Sequence, residues 1–168
     1  YHSGQYIEFA LTGGFKRAYS IANASHNGPL LELHIRHMPG GRFTDHVFAR
    51  MQNKEILRLE GPFGGFYLRE ESQKPIVLLA SGTGFAPIKA ILESIVESPK
   101  KLSNKKIWIF SGARNENDIF WQPNQLDVIP NLKYIPVLSR SSEYWKGEKG
   151  YVQDVLIKQN IPLENAQV

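Results

Sequence analysis

The sequence predicts two structural parts, a partial antiparallel β-barrel at residues 1–70 and an α/β doubly wound parallel sheet at residues 75–168. Three observations predict this division. Short strand-like runs with glycine turns fill the first part, and the polar stretch REESQKP follows at residues 69–75. Strand and helix patterns then alternate, which is typical of a parallel sheet with helices on both faces.

The first part is predicted to consist of short strands with one helix inserted among them. Thr44 is the expected N-cap of that helix, and Val47, Phe48 and Met51 share one face behind it. The predicted strands cover residues 5–11, 17–23, 30–38 and 55–61. Several short strands with one helix indicate a small barrel, which we expect to be incomplete.

The second part begins with IVLLA at residues 76–80, a continuous apolar run as expected of a strand covered on both faces. Apolar residues at helical spacing follow it, and Pro99 ends that helix. They are Ile88, Ile91, Leu92 and Ile95. Further strands are predicted at residues 106–112 and 132–139. Further helical segments are predicted at residues 118–129, broken by Pro123, and at 150–160.

Composition limits the classes of function. The 168 residues are 42% hydrophobic and 21% charged, as in a globular protein. The chain has no cysteine, which excludes disulfides, thiolate nucleophiles and iron–sulfur ligation on this stretch and suits the reducing cytoplasm.

Charge and hydropathy exclude further classes. The formal net charge is +4, but the lysines and arginines are scattered, so we expect a solvated surface and no nucleic-acid partner. No apolar run has the roughly 20 residues that a membrane span needs. The five histidines show no metal-ligand spacing, so no metal site is predicted.

A glycine turn lies between the first strand and first helix of the second part. Gly82, Thr83 and Gly84 stand where backbone N–H groups at a helix N-terminus can bind phosphate. Pro87 replaces the third glycine of a dinucleotide fingerprint, although proline is tolerated in a first helical turn. Taken alone, the turn fits nucleotide binding and a simple change of chain direction equally well.

Polar and cationic residues follow the next two predicted strands. Gly112 and Arg114 end one of them, and Ser139 and Arg140 end the other. Ligands of an open α/β sheet bind at the carboxyl ends of its strands. Two arginines there, beside a glycine turn, favour an anionic ligand such as a nucleotide phosphate.

The first part offers a second candidate site. Strand alternation places Arg17 and Tyr19 on one face, a plausible pair for a phosphate and a planar ring. An ordinary strand with an exposed arginine explains them as well. The turn PGGRFTDHV at residues 39–47 leads into a helix whose N–H groups suit phosphate, or it is only a turn with an N-cap.

The ordered set of motifs resembles the ferredoxin–NADP reductase superfamily over nearly the whole chain. RAYS, GGRFT and LEGPFGGFYL are followed by GTGFAPIKA, SGARNENDIF and VLSRSSEYWKGEKGYVQD. Within the superfamily, the set is most similar to flavin reductases and oxygenase-type electron-transfer reductases, including CDP-6-deoxy-glucoseen reductase-like proteins. The resemblance implies an FAD-binding barrel and an NAD(P)-binding α/β domain. It implies a flavoprotein reductase that passes electrons from NADH or NADPH through FAD to an iron–sulfur protein or domain, or to free flavin.

The resemblance also implies roles for individual residues. The implied catalytic residues are Ser20, near flavin N5, and Thr83, near the contact between nicotinamide and flavin. The implied FAD-binding residues are Arg17, Tyr19, Ser20, His34, Ile35, Arg36, Gly41, Arg42, Phe43 and Thr44. The implied NAD(P)-binding residues are Gly82, Thr83, Gly84, Pro87, Gly112, Arg114, Ser139 and Arg140.

Two alternatives stay open at this point. One is a non-catalytic nucleotide-binding module with a regulatory role, and the other is a nucleotide-dependent enzyme without flavin. We also expect the chain to be a fragment, because the family has barrel strands before the position of Tyr1 and a strand and tail after that of Val168.

Overall fold

The computed structural model describes residues 1–102, 104–121 and 126–168, and it contains two sheets. The first sheet is antiparallel with the strand order β2-β1-β3. We call the part that carries it the barrel half. Its elements are β1 (Tyr6–Ala10), β2 (Lys16–Ser20), α1 (Arg42–Ala49) and β3 (Leu59–Phe63). A small core holds the half together through Ile7, Phe9, Ile21 and Phe43.

The second sheet is parallel, with the strand order β4-β5-β6-β7, and we call the part that carries it the α/β half. Its strands are β4 (Ile76–Ser81), β5 (Ile107–Ala113), β6 (Leu132–Leu138) and β7 (Glu148–Lys149). Its helices are α2 (Phe85–Glu97) and α3 (Val152–Lys158). No helix within the described ranges is long and apolar enough to cross a membrane.

The two faces of the parallel sheet pack against different helices. Alternate residues of β4 decide this, since Ile76 and Leu78 join the core beside α2 while Val77 joins the core beside α3. A strand buried on both faces needs the continuous apolar run that the sequence shows here. The predicted fold class, a partial antiparallel barrel followed by a doubly wound parallel sheet, is confirmed.

The predicted strand at residues 30–38 is wrong. Only Leu33 forms a bridge, antiparallel to Ile21, and no continuous ladder follows. The buried side chain of Asn23 supplies the reason, because its Nδ2 donates to the Leu30 carbonyl at 2.9 Å and its Oδ1 accepts from the Glu32 N–H at 2.8 Å. A side chain that satisfies backbone groups in this way competes with a sheet.

The helix α1 begins earlier than predicted, and Thr44 is not its N-cap. Gly41 holds the N-cap position, while Thr44 is buried in the first turn and donates from Oγ1 to the Met38 carbonyl at 2.9 Å. The face that packs into the core is also different. Phe43 is buried there, whereas Phe48 is 55% exposed.

The predicted helix at residues 118–129 is wrong at its described ends, and Pro123 lies outside the described residues. Short 3₁₀ turns at Glu116–Asp118 and Leu126–Val128 take its place. The side chain of Asn115 accepts a hydrogen bond from the Asn117 N–H at 3.1 Å, a turn that competes with an α-helix.

A charged cluster on α2 joins the two halves, and we call it the α2 clamp. Lys89 Nζ donates to Glu32 Oε2 at 2.8 Å, to the Ala22 carbonyl at 3.2 Å and to Glu93. Glu93 Oε2 in turn accepts from the Ala24 N–H at 2.8 Å. The α2 clamp therefore ties the chain that follows β2 to the first helix of the α/β half.

Replacing Lys89 with methionine should destabilise the protein. Methionine keeps the apolar stem and removes the cation, so the carboxylates of Glu32 and Glu93 lose their common donor. We expect the free energy of unfolding, measured by chemical denaturation, to fall by roughly 2 kcal/mol. Lys158→Met is the control, because Lys158 is an exposed helical lysine. Equal losses in the two variants would contradict a specific role of the α2 clamp.

Candidate functional site: a cleft between the two halves

A cleft of about 600 Å³ lies between the barrel half and the α/β half. Its volume falls within the range of roughly 300–1,000 Å³ typical of small-molecule sites. The barrel half contributes His34, Ile35 and Arg36. The α/β half contributes Ser81, Gly82, Thr83, Gly112, Ala113, Arg114, Asn117, Asp118 and Phe120. A smaller cavity of about 190 Å³, beside Tyr67 and Ile95, contains none of the predicted site residues.

The glycine turn between β4 and α2 presents bare backbone to the cleft. Gly82 has φ = 54°, a left-handed conformation that favours glycine, and a Cβ built on it would meet no atom within 4 Å. No side chain caps α2, and its first turn holds no acidic residue. The N–H groups and the helix dipole at this end therefore suit a negatively charged group.

Two arginines stand side by side at the ends of β5 and β6. Backbone bonds continue the sheet here, since the Ser139 N–H donates to the Ala113 carbonyl at 3.0 Å and the Arg140 N–H donates to the Arg114 carbonyl. Arg114 lines the cleft, and Arg140 is exposed beside it. Neither guanidinium has an acidic partner among the described residues, so both charges are available to an anion.

A hydroxyl contact holds the loop after β6 in place. Ser142 donates to Glu116 Oε1 from its backbone N–H at 3.2 Å and from its Oγ at 2.5 Å. These hydrogen bonds hold the pKa of Glu116 below its ordinary value. The segments that carry Arg114 and Arg140 are thus joined by side chains as well as by backbone.

The barrel side of the cleft is connected to the α2 clamp. His34 Nε2 lies 3.1 Å from Glu32 Oε1, and the other oxygen of Glu32 accepts from Lys89. Burial alone would raise the pKa of Glu32, but hydrogen bonds from Lys89 and His34 hold it below its ordinary value of 4.5. Burial alone would lower the pKa of Lys89, but Glu32 and Glu93 raise it above 10.5.

Strand β2 of the barrel half carries Arg17, Tyr19 and Ser20, and none of these three residues lines the cleft. Arg17 and Tyr19 share a face, as predicted, because they pair with Phe9 and Ile7 across β1. Burial raises the pKa of Tyr19, and the nearby charge of Arg17 opposes that shift. The guanidinium of Arg17 is exposed and donates to the carbonyl of Lys16 at 2.8 Å.

The buried ring of Phe43 packs against the ring of Tyr19. It lies 5.4 Å from the Tyr19 ring and stacks on Phe9 at 4.8 Å. Phe43 is 3% exposed and belongs to the core of the barrel half, so its side chain acts through packing. Gly41, Arg42 and Thr44 surround the same end of α1, where no side chain caps the helix.

The structure thus brings together only part of the predicted site. The predicted residues that line the cleft are His34, Ile35, Arg36, Gly82, Thr83, Gly112 and Arg114. Gly84 and Pro87 lie in the turn and first helical turn behind it. The absence of a side chain at Gly112 has a packing reason, because a Cβ there would approach Val152 Cγ1 to 2.9 Å.

Besides Ser81 and Ala113, sequence reasoning missed three side chains in the cleft, Asn117, Asp118 and Phe120. They follow Arg114 in the motif SGARNENDIF, immediately after the carboxyl end of β5. The rule that ligands bind beyond strand ends could have identified them. The predicted helix at residues 118–129 assigned Asp118 and Phe120 to regular structure, which drew attention away from them.

The residues present fit FAD and a nicotinamide dinucleotide. Both ligands are anionic and contain planar rings, and the site offers bare glycine backbone, arginines without acidic partners and an uncapped helix end. His34 Nδ1 is buried with no hydrogen-bond partner among the described residues, which leaves one polar atom for a ligand.

Two family models match the chain. One is described as an oxidoreductase FAD-binding domain and matches residues 1–67, and the other is described as an oxidoreductase NAD-binding domain and matches residues 78–168. The CDP-6-deoxy-L-threo-D-glycero-4-hexulose-3-dehydrase reductase of Yersinia pestis is 35% identical over 160 residues. That alignment covers 94% of this chain and 47% of the relative.

Two further proteins are similar. Reductase component 2 of the terephthalate 1,2-dioxygenase of Comamonas sp. is 34% identical over 143 residues, which are 83% of this chain and 41% of that protein. The cytochrome P450 reductase GcoB of Amycolatopsis superposes with a TM-score of 0.86 at 27% identity, over 99% of this chain and 51% of that one. The chain spans about half the length of the curated relatives it matches.

The low pKa of Glu32 predicts a loss of stability in acid. A carboxyl whose pKa is depressed by folding stabilises the protein above its ordinary value of 4.5, and that contribution disappears as pH falls through the depressed pKa. We expect Glu32→Gln to lose less unfolding free energy than the wild type between about pH 6 and about pH 3.5. Denaturant titration at both pH values measures this. Identical losses would show that Glu32 contributes nothing to acid sensitivity.

Proposed function

The chain belongs to the ferredoxin–NADP reductase superfamily, and from this premise we propose that it passes electrons from NADH or NADPH through FAD to an acceptor. The acceptor is an iron–sulfur centre in another protein or domain, or free flavin. The barrel half, residues 1–70, binds FAD, and the α/β half, residues 75–168, binds the nicotinamide nucleotide.

One observation supports this proposal above all others. Residues of both halves face a single cleft, with the glycine turn and Arg114 on one wall and His34, Ile35 and Arg36 on the other. A protein that only recognised a nucleotide would need one wall of this kind. Two facing walls allow two ring systems to meet, as electron transfer between two cofactors requires.

The protein's own residues bind the two cofactors and orient their rings. Arg17 binds an FAD phosphate, Tyr19 packs on the flavin ring, and the uncapped N-terminus of α1 receives the pyrophosphate. Ser20 donates a hydrogen bond at the flavin ring, and Thr83 orients the nicotinamide. FAD held by these residues would supply the chemistry of accepting a hydride and passing its two electrons on.

The remaining residues of the site act on the nucleotide phosphates and the adenosine end. The turn from Gly82 to Gly84 and the N-terminus of α2 bind the pyrophosphate, and Pro87 fixes the first helical turn. Arg114, Ser139 and Arg140 surround the adenosine. Orientation of two rings in this way can contribute up to roughly 7–11 kcal/mol to catalysis without any acid–base triad.

Partners and location follow from the same proposal. The reductase relatives are named as components of a dioxygenase and a dehydrase system, which favours an iron–sulfur acceptor over free flavin. A cytoplasmic location suits a chain without cysteine, because that compartment is reducing.

Reconstitution with FAD tests the function directly. We expect the protein to acquire flavin absorbance and to reduce an artificial dye when NADH or NADPH is added. Arg17→Ala should weaken FAD affinity on the order of tenfold, since it removes a charge-assisted hydrogen bond, and should leave dinucleotide affinity unchanged. Arg50→Ala, which removes an exposed arginine at the end of α1, is the control.

Each arm has an outcome that contradicts the proposal. A colourless protein that binds NADH or NADPH but reduces no dye after addition of FAD would favour a regulatory nucleotide-binding module. Full FAD affinity in Arg17→Ala would remove the assignment of the flavin phosphate to β2.

Coenzyme preference is tested at Arg140. A 2′-phosphate carries charge that NADH lacks, so Arg140→Ala should lower kcat/KM for NADPH by about tenfold and leave kcat/KM for NADH unchanged. Lys146→Ala, an exposed lysine in the same loop, is the control. Unchanged kinetics with NADPH would show that Arg140 does not bind the 2′-phosphate.

A further inference from the structure

Phe120 is an exposed aromatic residue in the wall of the cleft. Its side chain is 55% exposed and lines the cleft. Its ring meets the ring of His34 edge to face, with 5.2 Å between the centroids and an interplanar angle of 89°. The contact crosses from the α/β half to the barrel half, so Phe120 lies where the two halves face each other.

The neighbours of Phe120 in the chain hold its backbone in place. The turn at Asn115 starts the segment, and Trp121 ends it by packing its ring 4.8 Å from the ring of Phe85. Phe85 is the first residue of α2, directly after the glycine turn. The backbone beside Phe120 and the backbone of Thr83 are therefore both close to the N-terminal end of α2.

The chemistry of the cleft wall makes this ring distinctive. The other cleft residues of the α/β half are glycine, alanine, serine, threonine, arginine, asparagine and aspartate. These suit phosphates, hydroxyls and amides, but they offer no flat apolar surface. An aromatic ring with an exposed face is the surface on which a planar heterocycle stacks.

We propose that Phe120 is a positioning residue whose exposed face receives the nicotinamide ring of the dinucleotide. This inference rests on the proposed function. Of the two rings of a dinucleotide, the nicotinamide is the one that must reach the barrel half, where the flavin binds. Phe120 contacts that half through His34. Of the three residues that we assign to the adenosine, Arg114 lines the cleft, and Ser139 and Arg140 lie outside its lining.

The contact with His34 sets the orientation of the Phe120 ring. An edge-to-face pair fixes the angle of both rings, and the His34 ring is itself held by Glu32 and, through it, by Lys89. Through Glu32 and His34, the α2 clamp is therefore connected to the proposed nicotinamide site. Loss of the Phe120 ring should leave the α2 clamp intact, because none of its hydrogen bonds involves Phe120.

Two ligands separate the nicotinamide contact from all others. NAD⁺ and ADP-ribose share the adenosine and the pyrophosphate, and only NAD⁺ carries nicotinamide. With the FAD-loaded protein, titration calorimetry should show Phe120→Ala binding NAD⁺ on the order of tenfold more weakly and ADP-ribose as tightly as the wild type. Phe120→Leu keeps apolar volume without the aromatic face, and we expect an intermediate loss for NAD⁺.

Phe48→Ala is the matched control. Phe48 has the same 55% exposure and also contacts a histidine ring, that of His37 at 5.0 Å, but it lies on α1 outside the cleft. Neither ligand should bind differently to this variant. Thermal unfolding of each variant, followed alongside, separates a local contact from a general loss of structure.

Several outcomes would overturn the inference. Equal weakening of both ligands in Phe120→Ala, with a lowered Tm, assigns the ring a structural role. Tighter NAD⁺ binding makes Phe120 an obstruction, and equal weakening of both ligands with an unchanged Tm moves the contact to the adenosine or pyrophosphate that the two ligands share. If the wild-type protein binds FAD and binds ADP-ribose as tightly as NAD⁺, this inference is wrong and the proposed function stands. If the wild-type protein binds none of these ligands, the proposed function is wrong as well.

Discussion

The α2 clamp is the interaction on which the geometry of the site depends. The two halves have separate sheets and separate cores, so their relative position relies on contacts between them. Lys89 and Glu93 make several of these contacts from one helix, and both reach the chain segment that follows β2. That segment continues to His34 in the cleft. The charges that join the halves therefore also position one wall of the site.

The same helix serves the other wall of the cleft. The N-terminus of α2 carries the glycine turn, and its middle carries the α2 clamp, one to two turns further along. The helix thus connects the glycine turn to the barrel half. The third glycine of a dinucleotide fingerprint is replaced here by Pro87. Pro87 lies in the first helical turn, where its missing N–H costs no hydrogen bond.

Sequence patterns predicted the strands and helices correctly where the apolar residues follow the pattern of burial. They failed where a side chain takes the place of a backbone group as hydrogen-bond partner. The run at residues 76–80 and the apolar face of α2 were correct because each reflects a continuous core. Two other predictions were wrong because of Asn23 and Asn115. Each satisfies backbone groups with its side chain, and hydrophobic periodicity carries no information about that choice.

By itself, the sequence determined the order of the two halves, the glycine turn and the arginines at the strand ends. These are local features, since turn chemistry and strand alternation act within about ten residues. Only the tertiary structure decided that His34 and Phe120 meet, that Lys89 reaches Ala22, and that Tyr19 rests on a buried Phe43. Contacts between residues far apart in the chain result from how the two halves pack, and no local pattern encodes them.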